Sequence, residues 1–146
     1  MTIFFYTPRG EYGCFSNFSP HGIELDNRYW PTVEHYFQAQ KFTDPAQRER
    51  IAKARTPKDA RTLGRDRRVP IRPEWDDVKD DVMLAAVRRK FANHQQIRAI
   101  LLATGDEALV ENAPSDFYWG CGADRSGKNR LGEILMLVRS ELRAGS

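Results

Sequence analysis

Glu34, Gln38 and Lys41 place a carboxylate, an amide and an amine four and three residues apart. On a helix that spacing brings all three within about 60° of one another, while Val33, Tyr36, Phe37, Ala39 and Phe42 cover most of the remaining circumference. A helix so widely apolar is expected to be buried. Its one polar stripe would then lie inside the protein or along a cleft, where removing charge from water is costly without a partner or a task. A carboxylate held there can exchange protons. A lysine desolvated among Phe37, Phe42 and other rings is partly neutral and able to attack as a nucleophile. If the helix runs through residue 42, Lys41 stands about 10 Å from Glu34 along one face. The same residues also allow a plainer reading. Thr32 after Pro31 caps the helix, Glu34 gains about 0.3–1 kcal/mol from the helix dipole, and Gln38 and Lys41 face water.

The elements that must position these groups follow from local pattern. Residues 2 to 7 read as a strand, and GIELDNRYW as a hairpin with Asp26-Asn27 at its tip. Asp44-Pro45 and Thr56-Pro57 each set a cap before a first-turn proline, predicting helices near 45–54 and 57–64, the second stopped by Gly64. A longer helix is expected over 74–92, with Val78, Val82, Ala85, Ala86 and Arg89 along one face, then a helix over 95–103 ending at Gly105 and a short strand at 108–112. A loop containing Gly120, Gly122 and Gly127 leads to Asn129, a good N-cap, and an amphipathic helix. The pattern predicts an α+β fold: a single helix-rich domain over 1–146 with a small antiparallel sheet.

Composition narrows the class. The chain has 146 residues and is 40% hydrophobic, enough for one core without disulfides. Cys14 and Cys121 stand in no metal-ligand or disulfide-framework spacing, and no apolar run is long enough for a signal peptide or a membrane span. A soluble, cytoplasmic, monomeric protein is expected, with no membrane partner. His21, His35 and His94 share no ligand spacing, so no metal and no cofactor are expected. The net charge of +3 is uneven: residues 48–72 carry ten basic and three acidic side chains, a local net of +7. That block suits an anion such as a phosphate or a nucleic acid, or is a solvated helical surface.

Six ordered segments carry a resemblance: YGCFSNFSP at 12–20, WPTVEHYFQAQKF at 30–42, LGR at 63–65, WDDVKDDVM at 75–83, LLATGDEALVENAPSDFYWGCG at 101–122 and GKNRLGEILMLVR at 127–139. With these the chain resembles the NADAR (NAD- and ADP-ribose-associated) family, in its stand-alone bacterial, YbiA-like branch. The resemblance implies an α+β fold and an N-glycosidase activity on the bond between ribose C1 and a nitrogen. It implies two substrate classes: phosphorylated ribosylamino-pyrimidine intermediates of riboflavin synthesis, and ADP-ribose on guanine of nucleic acid. It also implies roles in activity for Glu34, Trp75 and Asp116, and a covalent role on the sugar for Lys41.

Breaking a C1–N bond builds positive charge on the sugar and negative charge on the departing base, so a carboxylate is needed near C1 and a donor near the base. Glu34 and Asp116 are the candidates, with Lys41 as a Schiff-base nucleophile or as a charged partner of a phosphate. Asp116 after Pro114-Ser115 also reads as an ordinary turn aspartate. Trp75 offers a flat face for the base, with Phe15, Phe18, Tyr118 and Trp119 as an opposing wall; each of these rings also suits a core. Ser16 and Asn17 lie in a turn from which they reach backbone or ligand. Gly120, Gly122, Lys128 and Asn129, with Arg65 and Gln38, complete the expected substrate contacts, the glycine loop as a phosphate cradle at a helix start or as a plain surface loop. The alternative to an enzyme is a binding module for ADP-ribose or nucleotides without turnover. A basic nucleic-acid-binding domain built on residues 48–72 is a third reading.

Overall fold

The structure, a computed structural model, describes residues 1–145. The fold is α+β, in two compact units: Pro20–Lys90, and Met1–Ser19 together with the chain from Phe91 onward.

The Pro20–Lys90 unit opens with the expected hairpin. Strand β1 (Thr2–Phe5) belongs to the other unit, while β2 (Ile23–Leu25) and β3 (Arg28–Trp30) pair antiparallel here, Ile23 opposite Trp30. Asp26 and Asn27 both take positive φ, 56° and 62°, as a two-residue turn matched to strand twist requires. Helix α1 (Val33–Ala39) follows, with Thr32 Oγ1 accepting from His35 N at 3.1 Å. The imidazole of His35 locks this start further. Its Nε2 donates to the carbonyl of Ala54 at 3.0 Å, which leaves Nδ1 to accept from Thr32 Oγ1 at 2.8 Å. Burial pushes His35 below the ordinary histidine range, consistent with that neutral tautomer. Helices α2 (Pro45–Ala52) and α3 (Pro57–Gly64) begin as expected, capped by Asp44 and Thr56, and both pack on α1.

In the other unit β1 pairs parallel with β4 (Ala108–Glu111), Ile3 opposite Leu109. The single antiparallel sheet expected from the sequence is therefore two small sheets, one of them parallel. Local pattern finds a hairpin because its partners are neighbours; β1 and β4 are separated by most of the chain. Helix α5 (Gln95–Ala103) and helix α6 (Arg130–Ala144) pack together, and α6 lies on β4. Gly132 makes that approach possible, since a Cβ there would stand 2.1 Å from the Leu109 carbonyl.

Helix α4 (Trp75–Asn93) has the expected length but another buried face. Trp75, Met83, Ala86, Val87, Lys90 and Phe91 are buried, Val78, Val82 and Ala85 only partly, and Arg89 is exposed. The period was legible and its phase was not, because Lys90 rather than a valine fills a core position.

Candidate active site

All seven residues of α1 are buried, its polar stripe included. Glu34 is 6% exposed and Lys41 8%, so neither faces water. The helix ends at Ala39, however, and Lys41 lies in the following turn, its N–H on the Gln38 carbonyl at 3.3 Å. The spacing of about 10 Å along one helical face therefore does not apply. Pro45, four residues beyond Lys41, has no N–H with which to continue the helix, and Arg72 N takes the Lys41 carbonyl instead, at 2.8 Å.

Glu34 offers one oxygen, Oε2, to two donors: Gln38 Nε2 at 2.7 Å and Arg61 Nε at 3.5 Å. Gln38 thus meets the candidate acid directly. Its own Oε1 is buried without a hydrogen-bond partner and lies over Gly64, where a Cβ would come within 2.0 Å of it. Gly64 is the last residue of α3, which ends where expected; its φ is not left-handed, so the close approach of Gln38 rather than a left-handed cap asks for glycine there. The Gly64 carbonyl in turn accepts from Lys41 Nζ at 3.5 Å and from Arg67 at 3.1 Å.

Burial is the largest of the influences that pull the Lys41 amine down to about 8, and Arg67 adds to it; Glu34 opposes them, while Arg65 and Arg61 act in the same direction as Arg67. The basic block is therefore not merely a solvated surface. Three of its arginines, carried by α3 and the turn after it, surround the amine electrostatically and favour its uncharged form.

Trp75 is 8% exposed and tilted 57° against Phe37, ring centroids 5.1 Å apart. It is a wall more than a free platform.

In the other unit, Asp116 forms the turn that was its plainer reading. Its Oδ1 accepts from Tyr118 N at 3.0 Å and Trp119 N at 2.8 Å. Tyr118 and Trp119 meet edge to face at 4.9 Å, both partly exposed, with Lys128 Nζ over the Tyr118 ring at 5.4 Å. Phe15 is no binding wall: it is 1% exposed, stacked on Tyr12 and edge-on to Phe5. Ser16 Oγ accepts from Phe18 N at 3.1 Å, a turn cap, and Asn17 is half-buried beside it.

The phosphate cradle expected at Gly120–Asn129 is not available in that form. Arg130 N and Leu131 N, at the start of α6, donate to the carbonyls of Tyr118 and Trp119, and Lys128 N and Asn129 N to those of Phe117 and Gly120. These donors are spent on the backbone. Asn129 occupies the N-cap position in a left-handed conformation without capping. Its amide instead extends β4, Oδ1 accepting from Glu111 N and Nδ2 donating to the Leu109 carbonyl, both at 2.9 Å. Gly122, with φ 73°, lies under the Phe117 ring, which a Cβ would strike.

Residues 4–143 match the NADAR domain. The chain belongs to the NADAR domain family. Within it, the N-glycosidase of Nostoc punctiforme is 54% identical over 146 residues, 98% of this chain and 94% of that protein. The N-glycosidase YbiA of Escherichia coli is 49% identical over 140 residues, 96% of this chain and 88% of that protein. An NMR structure of Escherichia coli YbiA matches with a TM-score of 0.91 at 48% identity, covering 99% of this chain and 86% of that one. A riboflavin biosynthesis protein of Vibrio vulnificus is 41% identical over 140 residues, 96% of this chain and 38% of that longer protein. The chain is an enzyme, a hydrolase of the N-glycosidase class, rather than a binding module without turnover. Among the described residues no helix is long and apolar enough to cross a membrane.

Three residues around Glu34 and Lys41 escape a reading by sequence alone: Arg61, Arg67 and Gly64. The LGR segment and the +7 block both pointed to this stretch. What was missing was that α3 packs on α1 and turns that stretch toward Glu34 and Lys41.

Proposed function

We propose that this chain hydrolyses the C1–N bond of a phosphorylated ribosyl N-glycoside, with Lys41 attacking C1 and carboxyl groups handling the proton of the departing base. The observation that carries the reading is the buried Lys41 amine, pulled down to about 8 and beside a carboxylate held by Gln38 and Arg61. At pH 7 such an amine is uncharged in roughly a tenth of molecules, against fewer than one in a thousand for an ordinary lysine.

The Lys41 Nζ lone pair forms a bond to C1 as the C1–N bond breaks, its electron pair leaving with the base nitrogen, which takes a proton from a carboxyl group. The sugar ring opens with loss of a proton from Nζ to its ring oxygen, giving the Schiff base. Water then adds to C1, and the amine departs, returning the free sugar and the original lysine. Glu34 is the carboxyl group beside the amine, and Asp116 is the second candidate for proton transfer or for stabilising charge on the sugar. Arg65 and Arg67 are suited to the phosphate, and Trp75 to the base.

The riboflavin-related name of the Vibrio vulnificus relative supports a ribosylamino-pyrimidine phosphate as substrate. A second reading, ADP-ribose on guanine of a nucleic acid, is favoured by one observation: the basic stretch 48–72, which suits a substrate with several phosphates. Presenting both substrates to the wild type and to Lys41→Ala, then adding borohydride, tests the whole. A reduced sugar adduct on Lys41, with turnover lost in the variant, is expected. Turnover by the wild type with no adduct would remove the covalent step, and no turnover of either substrate would remove the substrate assignment.

A further inference from the structure

Gly64 touches both halves of this machinery. A Cβ at this position would stand 2.0 Å from Gln38 Oε1, 2.7 Å from its Cδ and 2.9 Å from its Cβ. The last of these is fixed to the α1 backbone and cannot swing away. The Gln38 amide so confined donates to Glu34 Oε2 at 2.7 Å, and it is itself only 5% exposed. On its other side, the Gly64 carbonyl accepts from Lys41 Nζ at 3.5 Å and Arg67 at 3.1 Å. Its backbone is helical with no left-handed demand, and in a helix alanine is favoured over glycine by about 1 kcal/mol. Local preference therefore argues against glycine here, and close approach argues for it.

We propose that Gly64 is a positioning residue for both reacting groups: its missing side chain seats the Gln38 amide that holds Glu34, and its carbonyl anchors the Lys41 amine. Gln38 acts through Glu34 and not on the substrate. This rests on the reading of Glu34 and Lys41 as the reacting groups, so one arm of the test needs no substrate.

In that arm, the pH dependence of Lys41 modification by an amine-selective reagent is followed by mass spectrometry. In Gly64→Ala the midpoint moves upward from the wild-type value, because the amine leaves its confined seat. In the second arm, Gly64→Ala lowers kcat at least ~10-fold with KM changed less than ~2-fold, and lowers it less than ~2-fold further in a Gln38→Ala background. Gln38→Met, which keeps length and removes the donor, serves if Gly64→Ala does not fold. It is expected to lower kcat about 10-fold at an unchanged KM in the protein that remains folded. An unmoved Lys41 midpoint in folded Gly64→Ala, losses that simply multiply, or Gln38→Met raising KM at constant kcat would each overturn the proposal. A wild type inert toward both substrates would defeat the functional reading alone, and the Lys41 midpoint would still decide this one.

Discussion

Lys41 Nζ donates to the carbonyl of Gly64 at 3.5 Å, while Oε2 of Glu34 receives Gln38 and Arg61. The buried amine is thus held by a neutral acceptor within a ring of arginines. Such an arrangement costs stability and confers reactivity, since an ammonium stripped of water is compensated only partly by one backbone dipole.

The cost is measurable. Lys41 in the folded chain sits at about 8, below its ordinary 10.5, so between these values the unfolded chain binds the extra proton. Stability drawn from this residue therefore rises with pH from about 8 to 10.5, and the penalty is complete below 8. Lys41→Met, apolar and of similar length, is expected to be more stable than the wild type at pH 7, on the order of 2 kcal/mol, and inactive. Urea melts at pH 7 and pH 10 check this. A gain at pH 7 that shrinks at pH 10 is the expected outcome, and equal or lower stability at pH 7 would count against a penalised amine.

Arg67 is the charged neighbour that depresses Lys41 most, after burial itself. Arg67→Gln should let the amine climb back, so the acid limb of kcat, measured at saturating substrate, moves to higher pH and turnover at pH 7 falls. Arg67→Lys keeps the charge and should leave the limb near its wild-type position. Limbs that coincide in all three proteins would mean that the limb does not report Lys41.

Much of this was legible because it is local. Thr32, Asp44 with Pro45, and Thr56 with Pro57 announced three helix starts, Asp26-Asn27 the hairpin, and the wide apolar face of α1 the burial of its polar stripe. The rest depends on partners far along the chain. The Lys41 carbonyl, to which Pro45 four residues on has no N–H to offer, is taken by Arg72, Asn129 leaves its capping role because β4 needs an edge partner, and Gly64 matters because α1 lies against it. In none of these does a window of neighbouring residues contain the partner.

For Asn129 the structural role separates cleanly from phosphate binding. Aspartate can still accept from Glu111 N but cannot donate to the Leu109 carbonyl, and it sets a charge against that oxygen. Asn129→Asp is therefore expected to lose about 1–3 kcal/mol of stability, read by urea denaturation, with KM changed less than about 2-fold in the protein that remains folded. A raised KM with intact stability would restore the residue to the substrate.

Asp116 poses the sharper choice, because its Oδ1 already has a full structural task in the turn to Tyr118 and Trp119. Asparagine keeps that oxygen and its two acceptor bonds, but loses the charge and the ability to carry a proton as an acid. Asp116→Asn should then keep its melting midpoint, whereas Asp116→Ala should lose about 1 kcal/mol with the turn. If the carboxylate takes part in the chemistry, kcat falls by roughly 10²–10⁴ in Asp116→Asn despite the intact fold. Full activity in Asp116→Asn would confine this aspartate to its turn and leave Glu34 as the remaining carboxylate of the proposed reaction.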